Sequence, residues 1–439
     1  MNYDIVIHNG TLITINSDFD IINDGVLCIK NDKLAKIEPR KNHVPLPEGE
    51  KIIDARGGII MPGLVNTHTH LPMALFRGLA DDLPLTKWLN EYIFPAEANH
   101  IHPESVRIGA LLSGAEMLLS GTTTCCDGYF YEDHVAAAVN EIGMRAILGQ
   151  GVIDFPAPGV PKPEDNVNNA LKFIQKWKNT SPLISPSIFC HSPYTCSEAT
   201  LKKAKDAADA KGVLFQIHAA ETKDEYVLIQ TKHHTTPVKY LDKIGVIDQN
   251  TLLIHAVWLD DDDIEIIAKR GASVSHNPES NMKLASGIAP VMALLKAGVT
   301  VGLGTDGCAS NNNLDLLSEM DTAAKLHKVN TLDPTVMDAL SVLKMATIHG
   351  ARVLGLEDVT GSLEVGKKAD VIVIDTHKPH LTPMYNPTSH LVYAARGNDV
   401  QHSIINGQPV MEDRKLLTLD LAEIIAKARE MSIRVLSWL

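Results

Sequence analysis

The stretch IIMPGLVNTHTH, residues 59–70, decides how this chain is read. It is apolar and β-branched until it ends on His68 and His70, two positions apart. A short strand apolar on both faces belongs in a parallel sheet covered by helices. Side chains two apart on a strand share a face, so both imidazoles can reach one metal ion. Alone, His-x-His is a weak signal, because two core or surface histidines give the same pattern.

The same design recurs along the chain. TTTCCDGY (122–129), MRAILGQGV (144–152), LISPSIFCHSP (183–193), VLFQIHAAET (213–222), TLLIHAVWL (251–259), ASVSHNPES (272–280) and TVGLGTDG (300–307) bring the runs to eight. Helical stretches such as ESVRIGALLSGAEMLLSG (104–121) and SEATLKKAKDAADAKG (197–212) alternate with them. Eight parallel strands alternating with helices predict an α/β fold, a (β/α)8 TIM-like barrel. A doubly wound sheet is the alternative, but it asks for a glycine-rich phosphate turn after its first strand, and no G-x-G-x-x-G follows this one.

The chain ends have a different character. YDIVIHNGTLIT (3–14) carries an Asn9-Gly10 turn signal and GVLCIKNDKLAKI (25–37) an Asn31-Asp32 one. ADVIVID (369–375) and SIINGQPVM (403–411), with its Asn406-Gly407, read the same way. Residues 1–56 and 365–439 are therefore expected to share a small sheet, with the barrel occupying 57–364.

Composition narrows the function. The 439 residues are 45% hydrophobic and 21% charged, ordinary for a chain that buries a large core. A formal charge of −13, with no run of Lys or Arg, argues against a nucleic-acid partner. Cys28, Cys125, Cys126, Cys190, Cys196 and Cys308 form neither C-x-x-C nor a regular framework, which suits a reducing, cytoplasmic compartment and packed thiols. The start, MNYDIVIHNG, lacks the plan of a secretion signal, and no membrane partner is expected.

In a barrel of this type the C-terminal strand ends carry the active site. Polar residues sit at those ends: His68 and His70, His218, His255 and Asp306. Three neutral imidazoles and a carboxylate suit one divalent ion, zinc first, with iron(II) or manganese(II) also acceptable. Such an ion lowers the pKa of its water from 15.7 to about 7, which indicates a hydrolase or deaminase. Glu221, three residues after His218, is assigned as a proton shuttle; Asp306 serves as ligand and base. His255 is either a ligand or a group beyond the ligands that polarises the attacking water or an oxyanion. No strand end offers a lysine for a bridging carbamate, so one metal is expected rather than two.

Taken together, PGLVNTHTH, QIHAAET, HAVWL, SHNPESNMKLASG and LGTDG resemble the amidohydrolase superfamily in its deaminase and chlorohydrolase branch. LPMALFRGLADDLPLTKWLNEYIFPAEA and HSPYTCS are similar in detail to the 5-methylthioadenosine and S-adenosylhomocysteine deaminases within it. The resemblance implies a barrel with a small β-sandwich made by the two chain ends. It implies His68, His70, His218 and Asp306 as ligands, and Glu221 and His255 in proton transfer. It further implies that Glu97 binds ribose hydroxyls, that His191 contacts the purine and that Trp88 lines the pocket. By themselves Trp88 reads as core, Glu97 as a solvated charge and His191 as an ordinary strand-end histidine.

The expected reaction is hydrolytic deamination of an adenine nucleoside at C6, giving the inosine analogue and ammonia, with Glu221 carrying a proton to N1. Candidates are 5'-deoxyadenosine, 5'-methylthioadenosine, adenosine and S-adenosylhomocysteine. The last would bring a carboxylate, which usually calls for an arginine fork, yet residues 146–269 contain no arginine. In the loop after the third run, GQGVIDFPAPGVPKPEDN (149–166), Gln150 and prolines stand where the resembled enzymes use arginine, and Lys162 is the available cation. Guanine or pterin deamination and triazine chlorohydrolysis are the neighbouring alternatives, and a metal-binding protein without catalysis is the distant one. A homo-oligomer is expected. Asp260 to Asp263 read as a helix start, and His233 and His234 as solvent-facing residues of a polar loop.

Overall fold

A computed structural model of the chain describes residues 2–41 and 43–437. Among them the eight predicted runs form the barrel strands β1 (Leu64–Thr69), β2 (Thr122–Tyr129), β3 (Arg145–Val152), β4 (Ile184–Cys190), β5 (Phe215–Ala219), β6 (Thr251–His255), β7 (Ser273–His276) and β8 (Val301–Leu303). Each pairs in parallel with the next. Every position of β1, β2 and β3 is buried, as strands covered on both faces require.

β8 and β1 close the ring by single bonds rather than by a ladder. The Asp306 N–H donates to the His68 carbonyl at 3.0 Å. The Asn66 amide spans the seam, accepting from the Thr305 N–H at 3.1 Å and donating to its hydroxyl at 2.8 Å. Gly304 permits this closeness, since a Cβ there would lie 2.3 Å from Asn277 Oδ1 and 2.9 Å from the His68 nitrogen. The seam therefore places Asp306 directly beside His68.

The chain ends share one nine-stranded mixed sheet. Asn31-Asp32 and Asn406-Gly407 make the predicted hairpin turns. Asn9-Gly10 does not. It lies inside the strand Tyr3–Ile13, with Asn9 in the left-handed region at φ 58°. The strand pairs with 49–54 up to His8 and with Ile59 and Ile60 from Thr11 onward, so the dipeptide supplies an irregularity at the change of partner. The opening stretch also divides. Ile59–Pro62 joins the terminal sheet beside Val371–Ile374, and the chain enters the barrel only after Gly63, where a Cβ would lie 2.1 Å from Thr123 Oγ1.

Sheet and barrel are joined by a buried ion pair, Arg145 with Asp370, at 2.7 and 3.0 Å. Asp370 also accepts the Asn406 N–H at 2.7 Å, so the pair fixes the second hairpin to the start of β3. The C-terminal helix Leu421–Leu436 packs on the barrel helix Pro103–Leu119. All six cysteines are buried thiols. Asp260 caps the helix Asp261–Arg270 through a reciprocal bond with Asp263, as the acidic run predicts. His233 departs from its reading: it ends the helix Lys223–His233, half-buried and stacked on Tyr240 at 4.0 Å. Among the described residues no helix is long and apolar enough to cross a membrane.

Candidate active site

The strand ends bring His68, His70, His218, His255, Glu221 and Asp306 together at the C-terminal mouth of the barrel. His68 Nε2 and His218 Nε2 are 3.2 Å apart, and Asp306 Oδ1 lies 3.4 Å from Nε2 of both His68 and His70. Potential ligand atoms of His68, His70 and Asp306 lie within 4.8 Å of one another, and so do those of His68, His218 and His255. His255 is thus brought as near to His68 as a ligand would be. Its Nε2 stands 3.9 Å from both Glu221 Oε2 and Asp306 Oδ2.

His70, His255 and Asp306 are aimed by neighbours, and Glu221 by the turn that carries it. His70 Nδ1 is 2.6 Å from the Gly128 carbonyl; donating its hydrogen there leaves the Nε2 lone pair facing inward. His255 Nδ1 is bracketed by Asn281 Oδ1 at 2.9 Å and Asn277 Nδ2 at 3.2 Å. Asp306 Oδ2 accepts from Ser280 Oγ at 2.7 Å and Ser310 Oγ at 2.8 Å, while the Gly307 N–H binds Oδ1 at 2.7 Å. Glu225 accepts the N–H groups of Ala220 and Glu221, both at 2.8 Å, gripping the turn that carries Glu221. Ala220, His255 and Asp306 all have left-handed backbone, at φ 54°, 76° and 61°, a conformation that the surrounding bonds must enforce.

The donor set fits a divalent cation. Burial, with the neighbouring imidazoles adding to it, pushes His68 down to about 3 and His218 well below the usual histidine range, so both present neutral lone pairs. Burial alone would raise Asp306, but the imidazoles of His68, His70 and His255 hold it well below the carboxylate range. Glu221 is raised, first by burial and further by the Asp306 charge, although His255 opposes this. One carboxylate is kept ionised and the other is biased toward holding a proton, the pairing that acid and base roles require.

Beside this cluster opens a cavity of about 980 Å³ to its mouth, lined by His70, His218, Glu221, His255 and Asp306 together with Trp88, Glu97 and His191. The segment TKWLNEYIF folds as the helical turn Leu85–Trp88, a π-helical turn Leu89–Ile93 and the helix Phe94–His100, so Trp88 and Glu97 both face the cavity. Glu97 is buried, and the Tyr129 hydroxyl donates to its Oε1 at 2.5 Å. His191 Nδ1 lies 3.0 Å from Thr195 Oγ1, and burial pushes its pKa down to about 4. Phe189 of β4 packs against His218 and His70, with centroids at 5.1 and 5.7 Å, giving the cluster an apolar flank.

Several residues that build the site escape a reading by strand ends: Tyr129, Phe189, Glu225, Asn277, Asn281, Ser280 and Ser310. SHNPESN contains three of them, but as a motif without assigned roles. Only the fold shows that Glu225 turns back to the strand end it follows. Gln150 turns away from the cavity and accepts the Glu132 N–H at 3.3 Å; Lys162 is exposed. Among the described residues no lysine or arginine lines the cavity.

The chain matches the Amidohydrolase family over residues 59–410. It is 47% identical over 426 residues, 97% of each chain, to a 5-methylthioadenosine/S-adenosylhomocysteine deaminase of Syntrophobacter fumaroxidans. It is 44% identical over 428 residues, again 97% of each chain, to a 5'-deoxyadenosine deaminase of Methanosarcina mazei. Among solved structures, an adenosine deaminase from Xanthomonas campestris with bound zinc superposes with a TM-score of 0.97 at 37% identity over 99% of both chains. Breadth and level of these similarities agree with the barrel and the clustered strand ends: the chain belongs to the amidohydrolase family.

Proposed function

We propose that this chain hydrolytically deaminates an adenine nucleoside, giving the inosine analogue and ammonia, with one zinc ion held by His68, His70, His218 and Asp306. One observation carries the reading. A single cavity is lined both by His70, His218, His255, Asp306 and Glu221 and by Glu97, His191 and Trp88. The names of the relatives support the substrate class, and the zinc in the 37% identical structure supports the metal.

A divalent ion bound at the cluster supplies, at neutral pH, an ionised water as nucleophile. The protein's own groups do the rest. Glu221, biased toward the protonated form, delivers a proton to N1 as C6 is attacked and later passes one to the departing amine. His255, held through Nδ1 by Asn277 and Asn281, presents Nε2 to the oxygen being added and stabilises charge there. Asp306, fixed by Ser280 and Ser310, takes the proton from that oxygen, and this proton, returned to Glu221, is the one that leaves with the amine. His191 and Trp88 hold the purine, and Glu97 accepts from the ribose. Two carboxylates able to move protons favour loss of ammonia, whose amine must be protonated to leave, over displacement of a halide, which leaves as an anion.

The lining around the loop after β3, including Ile153, Phe155, Pro156 and Pro158, is apolar. A small or apolar 5' group fits this better than a homocysteine carboxylate, so 5'-deoxyadenosine, 5'-methylthioadenosine and adenosine are preferred over S-adenosylhomocysteine. The test is ammonia release from metal-analysed protein given these four nucleosides and guanine. Turnover of nucleosides in the stated order supports the reading. Release from guanine alone, or from none, overturns it.

A further inference from the structure

Glu97 and Tyr129 reach the cavity from different elements, the helix Phe94–His100 and the end of β2, and meet in a 2.5 Å bond with both side chains buried. The hydroxyl hydrogen of Tyr129 is spent on Glu97 Oε1. What the pair then offers a ligand is acceptors only: the second oxygen of Glu97 and the lone pairs left on Oε1 and on Tyr129 Oη. Among the described residues no lysine or arginine lines the cavity to neutralise the carboxylate. A buried pair whose one hydroxyl hydrogen is already committed, with no cation beside it, suits neutral hydroxyl donors and gives a phosphate nothing to bind. The residue before Tyr129 matters as well. Gly128 holds His70 through its carbonyl at 2.6 Å, so adjacent residues of β2 fix a ring of the histidine cluster and the Glu97 carboxyl group.

We infer that Tyr129 is a positioning residue for sugar recognition: it locks Glu97 so that the pair accepts hydrogen bonds from the two neighbouring hydroxyls of a ribose, selecting nucleosides that carry both. The inference rests on the nucleoside deaminase reading above. Without the Tyr129 hydroxyl, Glu97 keeps its carboxyl group but loses the bond that sets its rotamer, and discrimination between substrates with and without the diol falls. A residue that merely packs would move turnover of both alike.

The test compares adenosine with 2',3'-dideoxyadenosine on zinc-loaded full-length enzyme, wild type against Tyr129→Phe. Leaving buried acceptors unpaired makes the wild type prefer adenosine by about 100-fold or more in kcat/KM. Tyr129→Phe is expected to cut that preference by about 10-fold, chiefly through a higher KM for adenosine, with the dideoxy substrate little changed. Tyr129→Met, which also removes the hydroxyl while filling apolar space, repeats the comparison should the phenylalanine variant fold poorly. An unchanged preference, or an equal loss on both substrates, overturns the inference and leaves the deaminase reading standing. A wild type that releases ammonia from neither substrate overturns the deaminase reading and this inference with it.

Discussion

His68 and His218 approach the barrel axis from strands β1 and β5 and stop with their Nε2 atoms 3.2 Å apart. Both rings are kept neutral, first by burial, so their lone pairs converge on the place a cation would fill. Purified protein is expected to contain about one divalent ion per chain, measured by elemental analysis. Chelation should abolish ammonia release and lower the thermal midpoint, and zinc should restore both. A metal-free chain with full activity and unchanged midpoint would show that the cluster has no such role.

Glu221 depends on Glu225, whose carboxylate grips the N–H groups of residues 220 and 221. Glu221→Gln should retain the metal and lose about 100- to 10,000-fold in kcat, the range for removing a general acid or base. Glu225→Gln turns one acceptor into a donor facing an N–H, so it should lower kcat by a smaller factor with KM nearly constant. Steady-state kinetics with metal analysis separates the two. Equal KM and kcat effects in Glu225→Gln would count against positioning.

Burial, opposed by the Tyr129 hydrogen bond, pushes Glu97 from 4.5 up to about 7. A group whose native pKa is raised stabilises the fold while it stays protonated, and this contribution is lost as pH climbs from the unfolded value through the native one. The cost approaches about 3 kcal/mol above pH 7. Glu97→Gln removes it. Thermal midpoints of wild type and variant should therefore diverge in the variant's favour between pH 5 and 8; parallel curves would refute the shift.

Arg145 and Asp370 form a two-bond ion pair with side chains only 5% and 0% exposed. Removing one partner leaves a buried charge alone, which costs about 3 to 5 kcal/mol. Arg145→Ala should lower the denaturation midpoint strongly while the surviving folded enzyme keeps its KM. A midpoint within error of wild type would show that water or a rearranged partner replaces the pair.

The sequence by itself determined the barrel and the residues that gather at its mouth. Strand periodicity places His68 and His70 on one face, and strand order carries His218, His255 and Asp306 to the same end, because parallel strands all point their C-termini one way. It did not determine what aims them. The Tyr129 bond to Glu97, the serines on Asp306 and the seam between Asn66 and Thr305 join residues 26 to 239 positions apart or, like Ser310, lie within a loop whose path no periodicity specifies. The same limit explains Asn9-Gly10, a turn signal by composition. Whether a left-handed residue reverses a strand or only kinks it is decided by the partners on either side, and these are set by tertiary pairing.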